Sequence, residues 1–227
     1  TRLEAGLYGT IERGTWNAKV YNYNSERGIP GAIVNNVWRR GERVWDTNSF
    51  FQGSFVKEVN DQFKTQVNAK YAFYRTHYVN NDDKLIEVDN LYKQREVYVS
   101  TANMYTIFPF WDVSMSYDFQ WNEMKADMYG FVFPTRFTNL LSIATALRLG
   151  KVKLQGSGLA TFVNDRVKEG PAPKARQILT PAVFLSYKLF DKHDFSLRAF
   201  YKKTFRMPTF NDLYYADMGN SKLDPEY

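Results

Sequence analysis

The sequence predicts an all-β fold: an antiparallel, up-and-down segment of a transmembrane β-barrel with about ten strands. Three observations predict it. Apolar and polar residues alternate with period two almost throughout, and no stretch follows the 3.6-residue period of a helix. Short turns alternate with long loops along the chain, the asymmetry of an outer-membrane barrel with short periplasmic and longer external connections. Several alternating stretches exceed about ten residues, longer than globular strands and suited to a tilted membrane strand.

Composition agrees with this reading. The 227 residues carry 44% hydrophobic and 17% aromatic side chains, with Tyr (16) and Phe (18) far above what a soluble core needs. Mean hydropathy is nonetheless −0.48, so the apolar residues are interleaved with polar ones. No apolar run approaches the roughly 18–20 residues of a membrane helix, which excludes helical spans only, because a barrel hides its apolar surface in alternate positions. Cysteine is absent, so no disulfide or thiolate metal site exists. No signal peptide is visible at Thr1-Arg2-Leu3-Glu4. The net charge of +6 permits an anionic partner such as phospholipid or lipopolysaccharide. The charges form no long basic run, which argues against nucleic acid.

Taken in order, Leu3, Ala5, Leu7 and Ile11 alternate with Arg2, Glu4 and Glu12, and Arg13-Gly14 signals a tight turn. The return strand reaches about Asn24, with Trp16, Ala18 and Val20 on one face and Asn17 and Lys19 on the other. A long loop is expected from Ser25 to about Asn48. A strand from about Ser49 to Lys57 and a reversal at Glu58-Val59-Asn60-Asp61 lead into the next. There Phe63, Thr65, Val67, Ala69, Tyr71 and Phe73 oppose Lys64, Gln66, Asn68, Lys70 and Tyr74. After a loop over about Asn80–Lys93, the strand from Gln94 ends at the aromatic reversal Phe108-Pro109-Phe110-Trp111. The clearest strand follows. Val113, Met115, Tyr117, Phe119 and Trp121 are apolar or amphipathic, while Asp112, Ser114, Ser116, Asp118 and Gln120 are polar.

A third loop, about Asn122–Pro134, precedes a strand around Leu141–Leu147, the turn Gly150-Lys151 and a return strand through Leu154 and Phe162. The loop from Arg166 to Arg176 holds Gly170-Pro171-Ala172-Pro173; then come a strand over Leu179–Leu189, a turn at residues 190–194 and a last strand from Phe195 to Thr204. Aromatics near strand ends (Tyr21, Tyr23, Phe110, Trp111, Trp121) are expected at the membrane interfaces. A soluble β-sandwich binding module also alternates and uses Gly/Pro turns, and it stays open as an alternative, as does a passive porin or other structural barrel.

The chain closes on Phe205-Arg206-Met207-Pro208-Thr209-Phe210-Asn211-Asp212-Leu213-Tyr214-Tyr215 and then Gly219-Asn220-Ser221-Lys222-Leu223-Asp224-Pro225-Glu226. This run, F-R-x-P-T-F-x-D-L-Y-Y and G-N-x-x-L-x-P-E, resembles the late-barrel signature of TonB-dependent outer-membrane receptors. Tyr23-Asn24-Ser25-Glu26-Arg27-Gly28-Ile29-Pro30-Gly31 is similar to the extracellular strand end in the vitamin B12 and siderophore branch. The resemblance implies a 22-stranded barrel around a separate N-terminal plug. It implies that a scarce nutrient chelate (cobalamin or a ferric siderophore) binds from outside, and that the TonB complex acts through the plug. It places the chain in the outer membrane of a Gram-negative bacterium. Residues 1–227 are then expected to be part of the C-terminal barrel domain, without plug or remaining strands, and unable to transport by themselves. In the motif, Phe205, Arg206, Pro208, Thr209, Leu213, Gly219, Asn220, Leu223, Pro225 and Glu226 carry structural roles. Arg206 is expected to make a charge-assisted bond to Asp212 that pins the corner.

For binding, the densest cluster is Trp38, Arg39, Arg40, Arg43 and Trp45, together with Arg27. Guanidinium groups fit phosphate or carboxylate, and indoles offer stacking surfaces, although a solvated loop has the same composition. Tyr214 and Tyr215 are candidates for the outer vestibule. Asp82-Asp83 reads as a solvated loop tip, with Ca²⁺ binding as the alternative. Of the two histidines, His77 lies near a strand end and His193 in a turn. No nucleophile elbow or paired base is present, so an enzyme is not expected, nor a metal site or cofactor.

Overall fold

In the computed structural model, residues 1–29, 33–34, 37–38, 42–80, 87–190, 193, 195–214, 220 and 223–226 are described, with backbone alone at Ile33, Val34, Val37, Trp38 and Asn211. The strands are β1 (Arg2–Ile11), β2 (Gly14–Ile29), β3 (Ile33–Val34), β4 (Val37–Trp38), β5 (Glu42–Glu58), β6 (Phe63–Asn80), β7 (Val88–Phe108), β8 (Trp111–Ala126), β9 (Thr135–Leu149), β10 (Val152–Arg166), β11 (Arg176–Lys188) and β12 (Ser196–Lys202). A one-turn helix, α1 (Phe210–Tyr214), follows. Ten of the strands form one sheet in the order β1-β2-β5-β6-β7-β8-β9-β10-β11-β12, every neighbour antiparallel and, apart from β2 and β5, consecutive in sequence. Among the described residues, only the small hairpin β3-β4 lies outside that sheet. This is the up-and-down topology the alternation predicts. Among the described residues no second sheet of comparable size covers it, so the sandwich alternative is set aside.

Register decides which residues share a face, because opposed residues of an antiparallel pair point the same way. One row runs Val20, Phe51, Tyr71, Val97, Trp121 and Phe137 across six strands. Another runs Val99, Phe119, Asn139 and Phe162. A third runs Met115, Ile143, Gly158 and Pro181. Apolar side chains of this face stay uncovered: Leu3 is 70% exposed, Ile143 54% and Leu179 62%. An apolar surface of this extent is untenable in water and natural against lipid hydrocarbon.

The opposite face carries Lys19, Gln52, Lys70, Tyr98 and Gln120 at matched positions. Its polar groups satisfy one another: Lys70 Nζ donates to Glu96 at 2.9 Å and to the Tyr74 hydroxyl at 3.1 Å, Gln120 donates to the same carboxylate at 3.3 Å, and Asn68 donates to Ser100 at 2.9 Å.

One expectation at the turns needs restating. At the first turn the central residues are Glu12 and Arg13, and the positive φ (54°) falls on Arg13, not Gly14. Gly14 is required for a different reason: a Cβ there would stand 2.5 Å from the Val56 carbonyl oxygen on β5. At Gly150-Lys151, by contrast, the glycine does take the left-handed φ, 56°.

The strands also outrun the expected boundaries at the long-loop end. β2 continues to Ile29 and β5 starts at Glu42, so Arg27, Arg43 and Trp45 are strand residues and not loop residues. Polar side chains replace apolar ones there, the alternation fades, yet the ladder continues through Gly28↔Arg43. Tyr21 and Tyr23 are likewise corrected. Tyr21 shares the polar face with Lys19, stacks on Phe50 at 4.7 Å and lies under the Lys19 and Arg2 cations, away from a membrane-facing girdle. Tyr23 falls on that face two residues later. At the opposite end Phe108, Phe110 and Trp111 cluster as expected, with ring centroids 5.4 and 6.3 Å apart.

Candidate functional site at the rim of the polar face

The closing motif folds back onto the polar face at the long-loop end of β7–β10. Its helix is short and survives through a capping box. The Asp212 carboxylate accepts the Thr209 backbone N–H at 2.8 Å, while the Thr209 hydroxyl accepts the Asp212 N–H at 3.3 Å. These bonds from Thr209, ahead of the nearby Arg206 charge, hold the Asp212 pKa below its ordinary value. Phe210, Leu213 and Tyr214 then bury themselves against Tyr92, Met124, Ala126 and Phe131. Tyr92, Met124 and Ala126 belong to the inner face by register, so this small core sits inside the wall.

Beneath the helix lies the most buried ion pair that the described residues show. Arg136 on β9 and Asp165 on β10 are directly opposed and join through two parallel bonds, Nε to Oδ1 at 2.6 Å and Nη2 to Oδ2 at 2.7 Å. Their side chains are 11% and 4% exposed. The remaining groups are committed to the motif. Arg136 Nη1 donates to the Pro208 carbonyl at 2.8 Å, its guanidinium lies 5.1 Å from the Phe210 ring centroid, and the Tyr214 hydroxyl donates to Asp165 at 3.3 Å. Burial, and then the Asp165 charge, push the Tyr214 phenol pKa up. Planar bidentate geometry is what makes such a pair specific and not merely attractive.

The segment after the helix is tied down separately. Arg206 and Glu226 form an antiparallel backbone bridge, with N–H to O distances of 2.9 and 3.1 Å in the two directions. The Arg206 guanidinium lies 3.8 Å from both Asp212 and Glu226, an ion-pair distance but not a hydrogen bond. The corner is therefore pinned by backbone and by the capping box, and the expected charge-assisted bond is corrected accordingly. Asn220 donates its N–H to the Asp212 carbonyl at 2.9 Å, and Arg176 pairs with Asp224. Phe205 lines the cavity described next, Leu223 is exposed and Pro225 half-buried. Gly219 and Tyr215 lie outside the described residues.

Between the motif and the wall is a cavity of about 480 Å³. Gln94, Glu96, Gln120, Asn122, Arg136 and Thr138 give its floor polar groups, beside Leu140 and Val163; Phe205, Met207 and Phe210 make the motif side apolar. It faces the interior and can offer hydrogen bonds and one aromatic surface to a polar guest. Tyr214 is not on its lining; that ring is spent on the small core.

The predicted tryptophan and arginine cluster fares differently. Arg43 pairs with Glu26, and Arg27 with Asp46, whose other oxygen accepts Thr76 at 2.8 Å. Both guanidinium groups are thus matched by carboxylates. Trp45 lies on the outward face, stacked on His77 at 5.3 Å, and lines an open hollow of about 700 Å³ with Glu26, Arg75 and His77. His77 in turn bonds Asp89 at 2.6 Å. Trp38 belongs to β4, opposite Ile33, with its side chain outside the description. Arg39, Arg40 and the Asp82-Asp83 pair lie outside the described residues. No group of three or more metal-type ligands occurs among the described residues. Sequence reasoning missed Arg136 and Asp165, which are 29 residues apart and look like ordinary strand-end charges. The capping box T-x-x-D, Thr209 to Asp212, is legible in the sequence.

Comparison with known proteins agrees with this architecture. A family model described as "TonB dependent receptor-like, beta-barrel" matches residues 2–227. Among solved structures the chain is similar to "Copper transporter OprC", with a TM-score of 0.69 at 14% identity, covering 99% of this chain and 40% of that one. The chain thus spans less than half the length of that structure. At this identity the likeness concerns fold. No curated protein sequence matches the chain.

Proposed function

Because the chain belongs to the TonB-dependent receptor-like β-barrel family, we propose that it forms part of the wall of an outer-membrane receptor that imports a scarce nutrient chelate, cobalamin or a ferric siderophore, with energy supplied through TonB. The observation that carries the reading is the two-faced sheet. Its apolar face suits lipid, and its polar face, roofed at one rim by the docked motif, suits the water-filled interior of a transport barrel. Residues 1–227 are read as part of the C-terminal barrel domain. The remaining wall strands and the plug on which TonB pulls are assigned to the whole receptor. The protein is placed in the outer membrane of a Gram-negative bacterium, in contact with lipid and lipopolysaccharide.

Tyr214 acts as a structural anchor of the vestibule and Trp45 as a rim residue. Arg39, Arg40 and Trp38 are proposed for cargo contact. The test is uptake by cells with and without the receptor, in TonB-competent and TonB-deficient backgrounds, of labelled cobalamin, ferric siderophore and, as a third arm, copper ion. TonB-dependent uptake of one of the first two supports the proposal. Uptake that persists without TonB supports the passive porin instead. Uptake of copper alone overturns the chelate assignment and leaves the transporter reading standing.

A further inference from the structure

On the outward face, just beyond the apolar rows, the register places cations side by side. Arg75 of β6 is opposed to Lys93 of β7, and Lys93 to Lys125 of β8. Arg95 stands two residues from Lys93 on the same face, opposed to Phe73 on one side and Glu123 on the other. Glu123 is the carboxylate at this level and is engaged by Lys125 at 3.3 Å. Arg75, Lys93 and Arg95 are exposed and make no ion pair with any described residue. Like charges directly opposed across neighbouring strands destabilise a sheet. Three strands at a spacing of about 4.8 Å set the row across roughly 10 Å. Inward of it comes the row of Phe73, Arg95 and Glu123, and next the apolar row of Tyr71, Val97, Trp121 and Phe137, the level at which acyl chains give way to headgroups.

We infer that Arg75, Lys93, Arg95 and Lys125 form a binding site for the phosphorylated glycolipid headgroup of lipopolysaccharide in the outer leaflet. Phosphate oxygens accept from ammonium and guanidinium donors and relieve the like-charge row. The lipid's acyl chains continue over the apolar face below. Two phosphates on one headgroup match a row this wide better than the single phosphate of a phospholipid. The inference rests on the membrane-wall reading.

The test uses the whole receptor, extracted from outer membranes in mild detergent, with lipid A per protein measured by mass spectrometry. The same protein is also placed in nanodiscs doped with bisphosphorylated lipid A, monophosphorylated lipid A or phosphatidylglycerol. The R75Q/K93Q/K125Q variant is expected to lose more than tenfold in lipid A retention, each cation near an anionic surface being worth roughly fivefold. R75K/K93R/K125R is expected to retain it, as is K153Q at the opposite rim. Bisphosphorylated lipid A should outcompete the other two lipids. Should the triple variant fail to fold, each single Gln variant is expected to lose several-fold. Unchanged retention in the Gln variants, or full competition by phosphatidylglycerol, overturns the inference. If the receptor is integral to the outer membrane in that case, the wall reading survives; if it is not integral, both fall.

Discussion

Truncating Arg136 would leave the Asp165 carboxylate buried beneath the motif without its partner. Breaking a buried pair from one side costs about 3–5 kcal/mol. Arg136→Ala is therefore expected to lower the unfolding midpoint in detergent and to expose the segment after β12 to protease. Replacing both partners together, R136L/D165L, is expected to restore most of that stability, since no charge is then stranded. Tyr214→Phe removes one hydrogen bond to Asp165, at a cost of about 1 kcal/mol. The raised Tyr214 pKa gives a sign: stability from the neutral phenol is fully present below the ordinary tyrosine pKa and is lost as pH rises through the folded value. Asp212 has the opposite sign. Its depressed pKa gives stability above the ordinary carboxylate range that disappears as pH falls through the folded value. Hydrogen exchange of the α1 amides, corrected for intrinsic rates, should show the helix loosening at both pH extremes and protected between them. Arg206→Ala, whose ion pairs are exposed and long, is expected to perturb far less than Arg136→Ala.

At the scale of single elements, the helix and the first hairpin are the informative cases. Thr209→Ala removes one half of the capping box and is expected to cost about 1 kcal/mol, read as faster exchange in α1. Gly14→Ala drives a Cβ to 2.5 Å from the Val56 carbonyl, so β2 and β5 must part; overpacking of this kind costs about 1–3 kcal/mol. Gly158→Ala, whose Cβ would meet nothing within 4 Å, should leave the melting midpoint unchanged. The strand cores were legible in the sequence because one face must be apolar, and that requirement writes period two into residues such as Val113 to Trp121. Strand ends beyond the apolar rows carry no such signature. That is why Arg27, Arg43 and Trp45 read as loop although their backbones continue the ladder. Tyr21 and Tyr23 show a further limit. Aromatic identity suggests a membrane girdle, while their parity with Lys19 puts them on the polar face. The pairing of Arg136 with Asp165 was illegible because it depends on the β9–β10 register, which no local pattern states.

For the molecule as a whole, the account requires that one face of the sheet meet lipid and the other water. Ile143→Arg, in the middle of the apolar rows, is expected to destabilise the inserted wall by about 2–4 kcal/mol. Ser142→Arg, one residue away and on the polar face, is expected to be tolerated far better. The absence of cysteine from these 227 residues allows a sharper measurement, any cysteine elsewhere in the receptor being replaced by serine. Single cysteines are placed in turn from Val113 to Trp121 of the membrane-inserted receptor, spin-labelled, and compared for collision with oxygen, which concentrates in lipid, and with a water-soluble nickel chelate. The predicted result is two period-two patterns out of phase: oxygen access peaking at Val113, Met115, Tyr117, Phe119 and Trp121, and chelate access at Ser114, Ser116, Asp118 and Gln120. Uniform chelate access, or no alternation along β8, would contradict the reading of this sheet as a membrane wall.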